Sequence, residues 1–305
     1  ATKRDEAYWE KTRPVALLDD EARDYQKKDS LEQVRKSPRY KDSIDRKNNK
    51  LTPMGVIVFG HSFSNSKKRQ RISFSSLMDM VNFHPAEGLL LNPSMTFYKR
   101  LDSLPMSRHS FSLTPAIRYG FLNRHLNPWL TMRYEFGKKY SQSVTLAGGR
   151  KVFQFNPDLP VSDRDNTLTS LVYERNIRKT YEAAFIRGSY RTGLGNGFSM
   201  LAGFQYQDRR PLDNLTDYTW RKDDSRSYTP NFPSELVTAN ITPHQSFVIT
   251  AGLNWQPGSK YIEFPDRKIN LGSRYPSFSL QYTQGINGIL GSDADFSKWK
   301  FDVSD

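Results

Sequence analysis

Long runs of alternating apolar and polar residues are the feature that most limits how this chain can fold. The clearest run covers residues 110–121, where odd positions are mostly apolar and even positions mostly small or polar. Because successive side chains of a strand point to opposite faces, each run predicts a β-strand with one apolar and one polar face. Comparable runs occupy residues 130–137, 198–207, 246–256, 277–283 and 298–303. The pattern predicts an all-β fold.

The length of these runs and their aromatic residues favour a transmembrane antiparallel β-barrel. Several runs exceed the roughly five or six residues of a usual strand, and approach the 9 to 11 or so that a tilted strand needs to cross a bilayer. A membrane barrel also carries aromatic girdles at its two interfaces. Aromatic residues stand near the ends of many runs: Tyr119, Phe121, Trp129, Tyr134, Phe204, Tyr206 and Trp255. A large soluble β-sandwich or soluble barrel is the alternative, because its strands alternate too.

The composition is polar on average but does not decide between these folds. Mean hydropathy is −0.71, although aromatic residues make up 13% of the 305 residues, which argues against disorder throughout. Apolar stretches such as residues 56–59 are far shorter than the ~20 residues of a membrane-spanning helix. A barrel whose strands alternate lipid-facing and lumen-facing residues also averages to a polar value. The chain has no cysteine, which excludes disulfides and cysteine nucleophiles.

The first 52 residues differ from the rest and predict a charged, partly helical periplasmic segment, followed by barrel strands and loops over residues 53–305. Residues 19–36 are rich in helix formers and begin with three acidic residues, which suit a helix N-terminus. Their apolar stripe is thin, so we expect a mostly solvated helix, with contacts made by Tyr8, Trp9, Leu17 and Leu18. A flexible linker with nascent helix is the alternative. The start at Ala1, without an apolar leader, predicts a mature chain or a fragment.

The connections between the predicted strands differ greatly in length. Asn196 and Gly197 predict a tight hairpin turn, whereas residues 156–178 and 209–244 are long connections. Short turns alternating with long loops are typical of an up-and-down barrel. After Gly148 and Gly149 the apolar residues change from even to odd positions, which predicts a β-bulge.

No pattern of residues predicts catalysis, a cofactor or a metal site, so we expect a non-enzymatic protein. There is no zinc-protease motif, nucleophile elbow or phosphate-binding P-loop. The five histidines are scattered and are expected in loops or at interfaces: His61, His84, His109, His125 and His244. Asp163, Arg164 and Asp165 are expected to form loop ion pairs of little energetic weight.

Two candidate binding sites remain. The first is the basic run of Lys67, Lys68, Arg69 and Arg71, within a chain of formal charge +13. It fits a solvated turn or contact with anionic lipid headgroups. Nucleic acid is not expected as a partner, because interleaved aromatic residues are lacking. The second site is the long connection 209–244, whose aromatic residues are candidates for binding an extracellular ligand: Tyr218, Trp220 and Tyr228.

Several segments resemble a known family. The first is the N-terminal stretch with Tyr8, Trp9, Glu10, Arg13, Pro14 and Leu17, followed by residues 45–50. The others are residues 82–88, residues 173–176, and Pro265 with Asp266, Tyr275 and Pro276. Together and in this order, they resemble a Bacteroidota family of outer-membrane proteins of unknown function. In that family a carboxypeptidase-regulatory-like domain precedes a barrel related to the BamA/TamA surface-antigen superfamily.

The resemblance implies a location in the outer membrane of a Gram-negative bacterium and a role in membrane biogenesis, by inserting or translocating protein or lipid. The implied partners are the lipid bilayer, lipopolysaccharide, and other outer-membrane or periplasmic assembly proteins. A passive channel or a surface ligand-binding barrel is the alternative function, and a soluble β-rich binding module is a third. The regulatory-like domain and a terminal aromatic residue are missing, and about nine to eleven strands stand against about sixteen in the superfamily. We therefore expect an incomplete barrel.

Overall fold

The computed structural model describes residues 6–12, 18–102, 109–222, 226–233, 241–264 and 268–305. Arg13, Pro14, Leu17, Pro265 and Asp266, which the family resemblance used, lie outside these ranges. The helices are α1 (Glu6–Thr12), α2 (Asp19–Lys36), α3 (Pro38–Asn48), α4 (Leu77–Met80) and α5 (Asp163–Tyr173). A π-helical turn covers Gly55–Phe59 and a 3₁₀ turn covers Ile289–Gly291.

The strands are β1 (His61–Asn65), β2 (Gln70–Phe74), β3 (Val81–His84), β4 (Gly88–Leu91), β5 (Met95–Arg100), β6 (Ser110–Gly120), β7 (Leu126–Phe136), β8 (Gln142–Gln154), β9 (Thr180–Gly195), β10 (Phe198–Pro211), β11 (His244–Trp255), β12 (Lys260–Glu263), β13 (Lys268–Gly272), β14 (Ser277–Gly285) and β15 (Phe296–Ser304).

The N-terminal helices are largely solvated. α2 has the predicted bounds and buries no residue. Leu18 is 70% exposed, so the prediction that this residue packs against the rest of the protein is wrong. α3 is fastened to the first hairpin instead, because Asp45 accepts hydrogen bonds from Ser66, and Asn49 exchanges hydrogen bonds with the backbone of Ser64. The helical segment therefore contacts the sheet through α3.

A single antiparallel sheet dominates the fold. It contains thirteen strands, eleven of which follow one path in the order β1-β2-β5-β6-β7-β8-β9-β10-β11-β14-β15. The β3–β4 hairpin joins this path beside β6, and β12 pairs only with β13. The structure confirms the predicted β-rich fold and its long two-faced strands. Pairing between β1 and β15 is absent from the described residues, so the closed barrel stays a prediction.

Two neighbouring rows of cross-strand partners show how the alternation divides the faces. The apolar row is Phe63, Ile72, Phe97, Leu113, Met132, Leu146, Gly188, Phe204 and Ile249. The polar row is Ser64, Arg71, Tyr98, Ser112, Arg133, Thr145, Ser189, Gly203, Thr250, Thr283 and Lys298. The glycine in the apolar row leaves space, since a Cβ at Gly188 would lie 2.5 Å from the ring of Phe204.

The sheet curves toward its polar face. Lys298 of β15 donates a 3.0 Å hydrogen bond to Asp158, in the connection after β8. Four strands separate β8 from β15 along the path. A flat sheet would place these two strands about 24 Å apart, at about 4.8 Å per spacing. The contact therefore indicates strong curvature, with the polar face on the concave side and the apolar face on the convex side.

The two ends of the sheet are built differently. At the turn end, β7–β8 and β9–β10 are joined by short turns, and the β12–β13 hairpin lies across them. Its contacts there are an ion pair of 2.6 Å between Lys139 and Glu263, and a hydrogen bond from the backbone N–H of Gly197 to the Tyr261 hydroxyl. The opposite end carries the long connections. Asn196 and Gly197 both have positive φ, as the predicted tight turn requires.

The predicted bulge after Gly148 and Gly149 is not present in the pairing of β8 with β9, so that prediction is wrong for this pair of strands. The pairing of β8 with β9 runs without a register shift from Gln142 to Gln154. The apolar residues of β8 change from even to odd positions because they move from the convex face of the sheet to its concave face. Phe153 stacks on Tyr181, with ring centroids 5.8 Å apart, and meets Phe185 edge-on at 5.1 Å. Near this end of the sheet the concave face is therefore packed with aromatic rings.

Candidate functional site

The cap is the group of segments that covers the end of the sheet opposite the turn end: the β3–β4 hairpin, residues 156–179 with α5, and the described part of residues 212–233. Backbone hydrogen bonds join these segments to one another. Leu215 donates to Pro85 at 2.9 Å, and Trp220 donates to Leu171 at 2.8 Å. Many of the most deeply buried side chains of the protein lie here, and most of them are polar. The cap is therefore held by polar contacts more than by an apolar core.

The β3–β4 hairpin places Glu87 at the centre of the cap. Glu87 stands in the turn between the two strands, and its side chain is fully buried. Gly88 follows with φ +70°, a conformation that other residues rarely adopt. The hairpin pairs with β6 through Leu90 and Leu91, so the Glu87 carboxylate faces the end of β6. Residues 82–88 are one of the segments that carried the family resemblance.

Four charged side chains form a buried ion-pair cluster around this carboxylate: Glu87, Arg118, Asp163 and Arg178. The Nε of Arg118 donates to both oxygens of Glu87, at 2.9 and 3.2 Å. Its Nη1 donates to both oxygens of Asp163, at 3.1 and 3.0 Å. Arg178 also donates to Asp163. Asp163 is the first residue of α5, so Arg118 ties that helix and the hairpin to β6.

The charges of the cluster balance. Burial alone would raise the pKa of Glu87, but the attraction and hydrogen bonds of Arg118 outweigh it and hold that pKa below its usual value. Burial, with repulsion from Arg118, lowers the pKa of Arg178 to about 10. Two carboxylates and two guanidinium groups therefore meet at the site, with equal numbers of acidic and basic side chains. Removing one member would leave a buried unpaired charge, at a cost of about 3 to 5 kcal/mol.

His84 adjoins the cluster and is neutral. Its Nδ1 accepts a 3.1 Å hydrogen bond from the backbone N–H of Ala86, so Nε2 carries the proton and donates to the carbonyl of Arg178 at 2.9 Å. Burial lowers the pKa of His84 to about 4. The expectation that this histidine lies in a loop or at an interface is therefore wrong.

Buried amides complete the cap. Asn231 accepts from the backbone N–H of Thr180, and its Nδ2 donates to the carbonyls of Thr180 and Leu212. Asn176 donates in turn to the Asn231 carbonyl oxygen at 3.2 Å. One amide thus fastens the start of β9 to the segment that follows β10. The buried ion-pair cluster and these amides together clamp the segments of the cap to the sheet.

The aromatic residues predicted to bind a ligand meet at the side of the cap. Tyr218 and Trp220 line an apolar cavity of about 470 Å³ together with Phe83, Leu89, Phe121, Leu122 and Leu171. Tyr228 lies outside that lining, and its hydroxyl donates to the carbonyl of Tyr218 at 2.9 Å. Two of the three residues therefore share a concave apolar surface, which the third supports.

The basic run is divided by the structure. Lys67 forms an ion pair of 2.8 Å with Asp42 of α3, and Lys68 is exposed. Arg69 and Arg71 line a cavity of about 930 Å³ beside β2. The structure therefore gives the four residues different surroundings, and contact with lipid headgroups stays a prediction.

Sequence reasoning missed the cluster. Asp163 was expected in a loop ion pair of little weight, yet it is mostly buried between two arginines. The only sequence signal was the family-like segment around Glu87, which does not reveal its partners. In the part of the chain that the structure describes, no three His, Cys, Asp or Glu side chains are grouped as metal ligands, and no helix is both long and apolar enough to cross a bilayer.

Comparison with known proteins places the chain in a family without an assigned activity. No curated protein and no solved structure matches the chain. Residues 54–305 match the C-terminal domain of DUF5686, a family of unknown function. That match spans all the described strands and the cap together, and the chain belongs to the DUF5686 family.

Proposed function

We propose that this chain is an integral β-barrel protein of the outer membrane of a Gram-negative bacterium. The observation that carries the proposal is the apolar row across nine neighbouring strands, in which Phe63, Met132, Leu146, Phe204 and Ile249 are each more than a third exposed. A band of this extent is unfavourable in water and favourable in hydrocarbon. The polar concave face suits a hydrated lumen.

Aromatic contacts at the turn end support the same proposal. Phe198 stacks on Trp255 at 5.3 Å, and Trp255 contacts Phe278 at 5.9 Å, all on the convex face. Such a ladder is typical of a membrane interface. Unpaired strand edges are unfavourable in hydrocarbon, so the proposal requires that the outer edges of β1 and β15 each take a partner strand in the membrane, either from this protein or from a client.

The role that we propose is outer-membrane biogenesis, by inserting or translocating protein or lipid. The nine-residue strand β15 supports it, because one edge of β15 pairs with β14 and the other has no partner among the described strands. An unpaired edge accepts a strand of a client protein by β-augmentation. Lipids, lipopolysaccharide and other assembly proteins are the partners that this role implies.

Membrane partition tests the first part of the proposal. The full chain should enter liposomes and resist extraction by urea, whereas a monomer that stays soluble without detergent would refute it and favour a soluble β-rich module. Depletion in the native bacterium tests the role. We expect a general loss of outer-membrane proteins or lipopolysaccharide from the cell surface; normal assembly together with a defect in solute uptake would favour a passive channel.

The apolar cavity at the cap favours a second candidate function, the binding of an apolar ligand. A volume of about 470 Å³ lies within the usual range of ligand sites. Trp220 is largely exposed at its rim, so Trp220→Ala should weaken binding of an apolar fluorescent probe without unfolding the protein. Ile262→Ala, at the turn end, is the control. Equal probe binding by both variants and the parent chain would exclude this function.

A further inference from the structure

A second cavity lies at the start of the sheet, between α3 and the β1–β2 hairpin. Its volume is about 930 Å³, and its walls come from three separate parts of the fold. Lys41 belongs to α3, Arg69 and Arg71 belong to the hairpin, and Arg100 ends β5. We call this cavity the basic groove.

The ionisable groups in the basic groove are mostly of one sign. Its lining contains four basic side chains and no acidic one. Asp42 and Asp45 of α3 lie nearby, but Asp42 pairs with Lys67 and Asp45 accepts hydrogen bonds from Ser66. Four basic groups line the groove beside two carboxylates, one of which is already paired with Lys67, so the groove carries an excess of positive charge.

The backbone holds these basic residues in place. Arg69 adopts φ +51° at the end of the hairpin turn, and its carbonyl accepts a 3.0 Å hydrogen bond from the backbone N–H of Arg100. The Nε of Arg71 donates to the Ser64 hydroxyl at 3.3 Å, and both residues line the groove. The hairpin thereby brings two guanidinium groups to one cavity with a third on the adjacent strand.

A turn that is only solvated gives no reason for four basic side chains from separate segments to line one cavity. Repulsion spreads like charges apart at a surface, whereas here residues distant in sequence line one concavity. Guanidinium groups bind phosphate oxygens through paired hydrogen bonds, and lysine adds a point charge. The volume exceeds that of a single phosphate.

We propose that the basic groove binds a ligand that carries two or more phosphate groups, such as the headgroup of an anionic lipid or a soluble phosphorylated molecule. Phosphate binding in the basic groove depends neither on the unpaired edge of β15 nor on the biogenesis role. Phosphate binding can therefore fail while the biogenesis role holds, and the reverse.

Calorimetry on the full chain in non-ionic detergent tests it, with inorganic tripolyphosphate as the probe. We expect one site, weakened by salt because exposed charges are screened. Arg69→Gln and Arg71→Gln should each weaken binding by about tenfold, since a hydrogen bond to a charged group contributes about 1.5 kcal/mol or more.

The matched control is Arg124→Gln. Arg124 is also an exposed arginine with positive φ, in the turn between β6 and β7 at the cap end. The Arg124→Gln variant should bind tripolyphosphate with the same affinity as the parent chain. Equal binding by the parent chain and the Arg69→Gln/Arg71→Gln variant, or equal weakening by Arg124→Gln, would overturn the proposal.

Two further probes identify the source of the phosphate. Dihexanoyl phosphatidylinositol 4-phosphate, which carries two phosphate groups, binding more tightly than its soluble headgroup inositol 1,4-bisphosphate, and losing affinity in Arg71→Gln, would support a lipid headgroup. Equal binding of both, with the same loss in Arg71→Gln, would support a soluble phosphorylated ligand. Binding of either probe that Arg71→Gln leaves unchanged would count against the basic groove.

Discussion

Lys298 of β15 donates a hydrogen bond of 3.0 Å to the carboxylate of Asp158, which lies 140 residues earlier in the chain. Lys300 stands on the same face of β15, 3.8 Å from the same carboxylate. Hydrogen bonding to Lys298, with attraction from both lysines, lowers the pKa of Asp158. The connection after β8 therefore reaches the concave face of the last strand.

Cross-linking tests this curvature. The chain has no cysteine, so Asp158→Cys with Lys298→Cys gives a single thiol pair. A short bismaleimide should join the two thiols within one chain, detected by mass spectrometry after proteolysis. Asp158→Cys with Trp299→Cys is the control, because Trp299 is adjacent in β15 but points to the convex face. Equal cross-linking of both pairs would contradict the curvature.

Breaking the buried ion-pair cluster should destabilise the protein far more than breaking an exposed pair. Glu87→Gln leaves Arg118 with a single carboxylate partner, and we expect a loss of about 3 to 5 kcal/mol in the free energy of unfolding. Glu135→Gln changes the exposed pair with Arg133 and should cost less than about 1 kcal/mol. Urea unfolding in detergent measures both. Similar losses for the two variants would mean that the cluster does not clamp the cap.

The cap should lose stability in mild acid through His84, which lies outside the strands of the apolar face. Its pKa in the folded state is about 4, below the ordinary value of 6.5, so the unfolded chain binds more protons between these values. The stability that depends on neutral His84 is therefore fully present above pH ~6.5. The free energy of unfolding falls by about 3 kcal/mol as the pH falls to ~4. Thermal unfolding across this range, compared with His84→Gln, measures it. An unchanged pH dependence in the variant would exclude His84 as the cause.

The tight turn between β9 and β10 should depend on Gly197. Gly197 and Gly272 have nearly the same positive φ, +81° and +83°. A Cβ at Gly197 would lie 2.0 Å from the carbonyl oxygen of Gln256, whereas one at Gly272 would have nothing within 4 Å. Gly272→Ala should lower the free energy of unfolding by about 1 to 2 kcal/mol, because alanine is strained at this positive φ. Gly197→Ala should cost about 1 to 3 kcal/mol more, from the clash. Equal urea midpoints would show that the turn relaxes freely.

Opposite faces of one strand should respond differently to charge in a membrane. Leu146 belongs to the apolar row and Thr145 to the polar row of β8. Leu146→Arg should reduce the free energy of folding into liposomes by about 2 to 4 kcal/mol, if that residue faces the middle of the bilayer. Residue 145 faces the lumen in the proposed barrel, so Thr145→Arg should change this free energy much less. Folded fractions on a semi-native gel measure both, and equal effects would argue against the membrane-facing assignment.

The strands could be predicted from sequence because alternation is local information. β6, β10, β11 and β14 begin and end within a few residues of the predicted runs. Phe153 shows where the rule fails. Its odd position suggested an inserted residue, but its ring points to the concave face and packs on Tyr181. Once both faces of a strand are covered, polarity no longer reports which face a residue occupies.

The buried ion-pair cluster could not be predicted, because its members are far apart in the chain. Arg118 lies 31 residues from Glu87 and 45 from Asp163. In sequence each is a charged residue without a visible partner in the cluster, and charged residues are most often found at a surface. Only the folding of two long connections and one hairpin over the same end of the sheet brings them together.

Asn231 has a consequence for how the cap opens. Its one amide bonds to the start of β9, to the segment after β10 and to Asn176, so no single connection can detach without breaking contacts of the others. Such coupling defines a cooperative folding unit, whose amide protons exchange together or not at all. We therefore expect the segments of the cap to be released from the sheet together, rather than one connection at a time.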